Sequence, residues 1–171
     1  MLTRGFMPAR RPEKAMTGTV EFVHLVEESG ADPEPRETAE AVSGKGLRGD
    51  RYFENEGTFS TPDEETKRDV TLIEAEALEQ AEADYGVAFD PGVHRRNVTV
   101  RGVGLNNLVG TRFRVGDVVL EGDELCEPCD YLERKLEQEG VQDALVHRGG
   151  LRCAVVDGGE IAVGDDVAPD A

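Results

Sequence analysis

From Asn97 to Val163 the sequence breaks into short stretches in which apolar and polar residues alternate, separated by pairs of small turn-forming residues. Asn97–Arg101 places Val98 and Val100 on one face, and Thr111–Val115 does the same with Phe113 and Val115. Asp117–Glu121, Arg152–Val156 and Glu160–Val163 follow. A period of two is the mark of a half-buried strand. Gly116-Asp117, Gly122-Asp123, Gly158-Gly159 and Gly164-Asp165 supply the turns between them. This pattern predicts a mainly β fold, a barrel with two or three short helices.

The first half of the chain is less regular. Thr19–Val26 is β-branched and aromatic, bounded by Gly18 and Ser29-Gly30, and reads as a strand. Ala31–Arg36, with two prolines, reads as a loop; Ser43–Asp50 is glycine-rich, and Glu54–Arg68 is polar enough for a mobile surface loop. Thr71-Leu-Ile-Glu74 has the form of a capping box. Ile73, Ala77, Ala81 and Tyr85 then share a helical face opposite Glu76, Glu79 and Glu82, with Gly86 placed to end the helix. A second helix is expected over Asp130–Glu139, with Leu132 and Leu136 one turn apart and Gly140 as its stop. No internal repeat or linker divides the chain. Residues 1–17 read as a disordered tail or a mis-assigned start, since Met7 and Met16 are alternatives, and 18–168 as a single domain.

With 36 Asp+Glu against 19 Lys+Arg the net charge is -17, which repels polyanions and disfavours both nucleic acid and anionic membrane surfaces. The lysines are Lys14, Lys45, Lys67 and Lys135; the other basic residues are arginines. Scarce lysine and abundant carboxylate suit a salt-rich cytosol, where a Debye length of about 3 Å at 1 M would screen the self-repulsion. No stretch approaches the roughly 20 apolar residues of a membrane helix, and no apolar segment follows the basic opening as in an export signal. A cytoplasmic location is expected.

Gly44-Lys-Gly46-Leu-Arg-Gly49 spells a dinucleotide fingerprint, but the residues after it, Asp50-Arg-Tyr-Phe-Glu-Asn, do not open a helix, so that reading fails. What remains is a glycine-permitted loop presenting Arg48 and Arg51, either a turn or a cradle for an anion. His94-Arg95-Arg96-Asn97 and His147-Arg148-Gly149-Gly150 each precede a strand. Guanidinium forks beside glycines suit a phosphate, while any one of these arginines could simply pair with a neighbouring carboxylate. Three such clusters in so acidic a chain point to a shared anion site.

Of the three cysteines, two form Cys126-Glu-Pro-Cys129. Zinc would need two more ligands, and only Cys153 and a histidine are available without a second C-x-x-C. A redox dithiol lacks its βαβ context. If Asp130 caps the following helix with Glu133 at its third position, Cys129 stands just outside a helix N-terminus, where amides and dipole favour a thiolate. Glu124, Glu127 and Asp130 oppose this. Such a thiol suits a soft metal or a sulfur carrier; Cys126 assists or fills core, as Cys153 does.

Taken in order, Gly46-Leu-Arg-Gly-Asp-Arg51, Asp69-Val-Thr-Leu-Ile73, Arg95-Arg-Asn-Val-Thr-Val100 with Gly102 and Leu105, Cys126-Glu-Pro-Cys129 with Leu132-Glu133, Arg148-Gly-Gly150 and Gly159-Glu-Ile-Ala-Val-Gly-Asp165 resemble the MOSC domain family. The resemblance runs from about Gly18 to Val167. It implies a β-barrel and binding of the molybdenum cofactor, a pterin dithiolene ending in phosphate. The family's signature cysteine maps onto Cys129 as the molybdenum ligand, with Cys126 the second choice. Arg51, Arg95 or Arg96, Asn97, Arg148 and Gly149 would then hold the pterin and its phosphate. No pyridoxal phosphate is expected, because the aminotransferase-like domain that binds it in sulfurases is absent from this chain. By analogy the protein would reduce N-hydroxylated small molecules with electrons from a separate reductase. The alternatives are a non-catalytic carrier, bearing a persulfide or passing cofactor to an apo-enzyme, and a module without cofactor.

Overall fold

The computed structural model describes residues 17–28, 30–51, 53, 69–126 and 130–169. The basic N-terminal stretch, the polar stretch from Glu54 to Arg68 and Cys129 lie outside the described residues. Eleven strands are present among them: β1 (Gly18–Leu25), β2 (Glu34–Arg36), β3 (Thr38–Val42), β4 (Gly46–Leu47), β5 (Val70–Glu74), β6 (Val98–Arg101), β7 (Arg112–Val115), β8 (Val118–Leu125), β9 (Leu151–Asp157), β10 (Gly159–Ala162) and β11 (Asp166–Pro169). The helices are α1 (Ala75–Tyr85), α2 (Asp130–Leu136) and α3 (Val141–Ala144), with a 3-10 turn over Leu105–Leu108.

Strands β11, β7, β8, β9, β5, β6 and β1 pair in that order, and β1 pairs back onto β11, closing a barrel. The fold is therefore the mainly β barrel that alternation in the second half predicts. Closure is short on the β1 side, where Gly18 and Thr19 pair with β11 and Val23–Leu25 are left for β2. A register shift between Val20 and Phe22 lets Val20, Val23 and Leu25 all join the core while Phe22 stays outside. The second small sheet, β10-β3-β4, sends Ala39, Ala41, Leu47 and Ile161 into the same core as Leu72, Val98, Phe113 and Leu120.

Among the barrel's neighbours, β5 and β6 run parallel, and a parallel pair requires a long crossover. Helix α1 is that crossover. It packs over the outer face of β5 with α2 and α3, burying Ile73, Ala81, Leu132, Val141 and Leu145 in a second cluster.

Several sequence expectations need correction. Thr71-Leu-Ile-Glu74 is strand and not a capping box: Val70, Thr71 and Ile73 are β-branched, and β6 and β9 pair with the segment on both sides. Helix α1 begins at Ala75 after Glu74, whose side chain makes no cap and accepts the Leu105 N–H instead at 3.0 Å. Ile73 therefore belongs to the strand, and Tyr85 is 52% exposed. Gly86 does end the helix, with φ 70° and its N–H on Glu82 O at 2.9 Å. Glu34–Arg36 within the expected loop is a strand, because it finds an edge on β1. Helix α2 already includes Asp130, and Glu133 Oε1 accepts the Gln142 N–H at 3.0 Å, serving the start of α3.

Candidate functional site

One rim of the barrel gathers the end of β1, the start of β6, β5, the start of β9 and the end of β8. Asn97 is its pin. The backbone N–H of Asn97 donates to Thr71 Oγ1 at 3.0 Å, and Asn97 Oδ1 accepts from the Thr71 N–H at 3.1 Å and the Thr71 hydroxyl at 3.2 Å. Nδ2 donates to His24 O and to Asp50 Oδ1, each at 3.1 Å. The amide is thus engaged on both sides within the protein, so Asn97 fixes strand positions. Asp50 Oδ1 also receives the Val26 N–H at 2.9 Å and Arg51 Nη1 at 3.3 Å. Arg51 and Asp50 form a buried ion pair, and Arg51 N–H donates to Val26 O at 2.7 Å. Arg48, by contrast, is exposed and pairs with Glu40.

Arg95 and Arg96 diverge. Arg95 sits at φ 67°, a left-handed backbone that an arginine adopts only when its surroundings hold it there. Its buried guanidinium donates from Nη1 to Ala31 O at 2.7 Å, while Lys135 Nζ of α2 donates to Gly30 O at 2.8 Å. The helix that follows Cys129 is thereby docked on the same two-residue stretch as Arg95. Arg96 instead turns to the β8–β9 side. Nε donates to Gly149 O at 2.7 Å, Nη1 to His94 O at 2.9 Å and Nη2 to Cys126 O at 3.4 Å.

Behind Arg96 lies His94, fully buried. The Arg96 N–H donates to His94 Nδ1 at 3.0 Å, so Nδ1 is unprotonated and the ring proton sits on Nε2, 3.4 Å from Thr99 Oγ1. The ring is kept neutral: burial, then the Arg96 charge, then His24 push its pKa down to about 3. His24 packs edge-on at 6.4 Å, its own pKa lowered by burial.

Cys126 is buried at the end of β8, and its N–H donates to Gly150 O at 2.7 Å. Gly149 and Gly150 are there for closeness: a Cβ on Gly149 would come within 1.9 Å of Cys126 O, and one on Gly150 within 2.0 Å of Leu72 O. Cys153 is fully buried in β9 and its thiol is pushed up, chiefly by burial, as expected of a core cysteine.

The structure joins Arg51 to Asn97 through Asp50, and Arg96 to Gly149 and Cys126, while Arg95 goes separately to Ala31 O. It sends Arg148 elsewhere. Preceded by His147 at φ 62°, Arg148 donates from Nη2 to Asp84 Oδ2 of α1 at 2.7 Å and lies over the Tyr85 ring at 5.8 Å. This bond, more than any other influence, holds the Asp84 carboxyl below its usual range. Arg148 Nη1 is buried with no hydrogen-bond partner among the described residues, a spare donor on a fixed guanidinium. Asp50, Thr71 and His24 are not among the site residues to which the sequence points. Asp50 follows a glycine turn, which could have marked it; His24 sits mid-strand with no signal.

Thiols at Cys126 and Cys129 and guanidinium groups at Arg51 and Arg95 are donor types that suit a group carrying both a soft metal and a phosphate. A family model described as MOSC domain matches residues 33–168. No curated protein matches the chain. Among solved structures, the YUAD protein from Bacillus subtilis superposes with a TM-score of 0.72 at 20% identity, covering 89% of this chain and 94% of its own. YiiM from Geobacillus stearothermophilus gives 0.68 at 14%, covering 90% and 75%, and YiiM from Escherichia coli 0.62 at 14%, covering 90% and 70%. At these identities the likeness is one of fold.

Proposed function

The chain belongs to the MOSC domain family, and from that premise we propose that it binds the molybdenum cofactor, with Cys129 as the metal's protein ligand and Cys126 as the second choice. The observation that supports this reading is the rim itself, where Arg51 and Arg95 are buried and Arg96 reaches the Cys126 carbonyl in a protein otherwise dominated by carboxylates. Arg51 and Arg95 would hold the anionic end of the cofactor; Asn97 and Gly149 would keep the strands and the β9 loop in place around it. When bound, the cofactor would supply a centre that is reduced by two electrons and gives them up as it accepts an oxygen atom. The substrate class is N-hydroxylated small molecules, with electrons from a separate reductase. Buried guanidinium groups lose little order on binding, because their forks are already fixed by Asp50 and Ala31 O.

Metal analysis of protein purified from a cofactor-producing host tests this. Stoichiometric molybdenum in the wild type, lost in Cys129→Ala and kept in Cys126→Ala, is the expected result. A persulfide on Cys129 without metal would instead make the protein a sulfur carrier, and loss of metal in Cys126→Ala alone would move the ligand to Cys126.

A further inference from the structure

Arg96 shares its motif with Arg95, yet three donors of its guanidinium go to backbone carbonyls on three segments of chain: His94 before β6, Gly149 before β9 and Cys126 after β8. Its own N–H is taken by His94 Nδ1, whose other nitrogen faces Thr99 of β6. Beside Cys126 O, Gly149 approaches so closely that even a methyl group would collide, and Cys126 N–H is bonded to Gly150 O. The peptide of Cys126 is therefore held on its carbonyl by Arg96, on its amide by Gly150 and sterically by Gly149. Each contact lies within the described residues. A guanidinium is suited to the task, since its planar fork reaches separate acceptors at once and an ammonium on a flexible stem does not.

We propose that Arg96 is a positioning residue and not a cofactor contact: with the neutral His94 ring behind it, it clamps the Cys126 backbone to the β9 loop and so fixes the base from which the Cys126–Cys129 stretch departs. The functional meaning of the clamp rests on the reading of that stretch as the metal-binding one; the clamp itself does not. His94 is a second positioning residue. It must accept the Arg96 N–H, and in doing so it adds no charge beside a guanidinium already held among carbonyls.

The chain carries its own control for the test. Cys126 lies at the clamp, while Cys153 lies in the barrel core and is fully buried. Alkylation by iodoacetamide, followed for each cysteine by peptide mass spectrometry on metal-free protein, reads local and global opening separately. In Arg96→Lys, Cys126 should label about tenfold faster or more, the shift expected on losing charge-assisted hydrogen bonds, with Cys153 labelling at its wild-type rate. Millimolar guanidinium added to Arg96→Gly should restore protection of Cys126. Unchanged labelling of Cys126 overturns the clamp, and so does an equal rise at Cys126 and Cys153, which would make Arg96 a residue of general stability.

Should both variants fail to fold, the wild type still decides. By nuclear magnetic resonance, the Arg96 Nε–H should be resolved and slow to exchange, as required of a donor held on Gly149 O; a rapidly exchanging Nε–H overturns the proposal. Molybdenum content separates the two ideas. A clamp confirmed in a protein that takes up no molybdenum leaves the clamp standing and the cofactor reading fallen. Full molybdenum with Cys126 unprotected in the wild type does the reverse.

Discussion

At the residue scale, burial combined with a hydrogen bond assigns roles that residue type alone does not. His94 belongs to a basic motif yet is uncharged, because its Nδ1 is committed to an N–H donor in a site that disfavours the cation. The unfolded chain takes up a proton near pH 6.5, as an ordinary histidine does, while the folded ring resists down to about 3. Between those values the unfolded state binds more protons at His94, so its share of stability is intact above 6.5 and is lost as pH falls, by about 1.4 kcal/mol per unit for one proton. In His94→Asn, which cannot titrate, the fall in urea midpoint from pH 6.5 towards pH 4 should be shallower by about that slope. Equal pH dependence in the two proteins would show that His94 is protonated in the folded state.

At the element scale, glycines that look alike in sequence do unlike work. Gly44 and Gly150 both have positive φ, 73° and 106°, but nothing lies within 4 Å of a Cβ built on Gly44, whereas Leu72 O lies 2.0 Å from one on Gly150. Gly44→Ala should therefore cost only the conformational penalty, about 1 kcal/mol. Gly150→Ala must also push β9 off β5, and should cost about 3 kcal/mol or more. Denaturant midpoints of the two variants measure the difference; equal costs would mean that the β5–β9 contact yields easily. The alternation from Asn97 onward makes β6 to β10 readable, since core residues recur at every second position, such as Val98 and Val100 in β6 and Phe113 and Val115 in β7. Val70–Glu74 was misread as a helix start because both its faces are covered, by the barrel core within and by α1 outside, and a doubly buried strand has no alternation to read.

At the scale of the whole molecule, the excess of carboxylates sets the response to salt. Exposed pairs such as Arg48–Glu40 and Arg112–Glu121 contribute at most about 1 kcal/mol each and weaken as salt rises. Repulsion among a net -17 charges on one barrel acts in the other direction and is relieved as the Debye length shrinks from about 10 Å at 0.1 M to about 3 Å at 1 M. The self-repulsion should win, so the melting temperature should rise between 0.1 M and 1 M KCl. A flat or falling temperature would mean that the local pairs outweigh the net charge.

Alternation, turn pairs and spaced motifs were enough to specify a β-barrel of this family and to single out its basic and cysteine motifs, because strand periodicity and backbone demands for glycine are local properties written along the chain. The division of labour among those residues was decided only in three dimensions. Whether a guanidinium is spent on a carbonyl, a carboxylate or nothing depends on which strands the closed barrel sets side by side. Thus Arg96 faces Cys126 O and Gly149 O, Asn97 faces Asp50 and Thr71, and Arg148, two residues from Cys126's partner Gly150, turns away to Asp84. Those neighbours are separated by tens of residues in the sequence, and only closure of the barrel gives each side chain its partner.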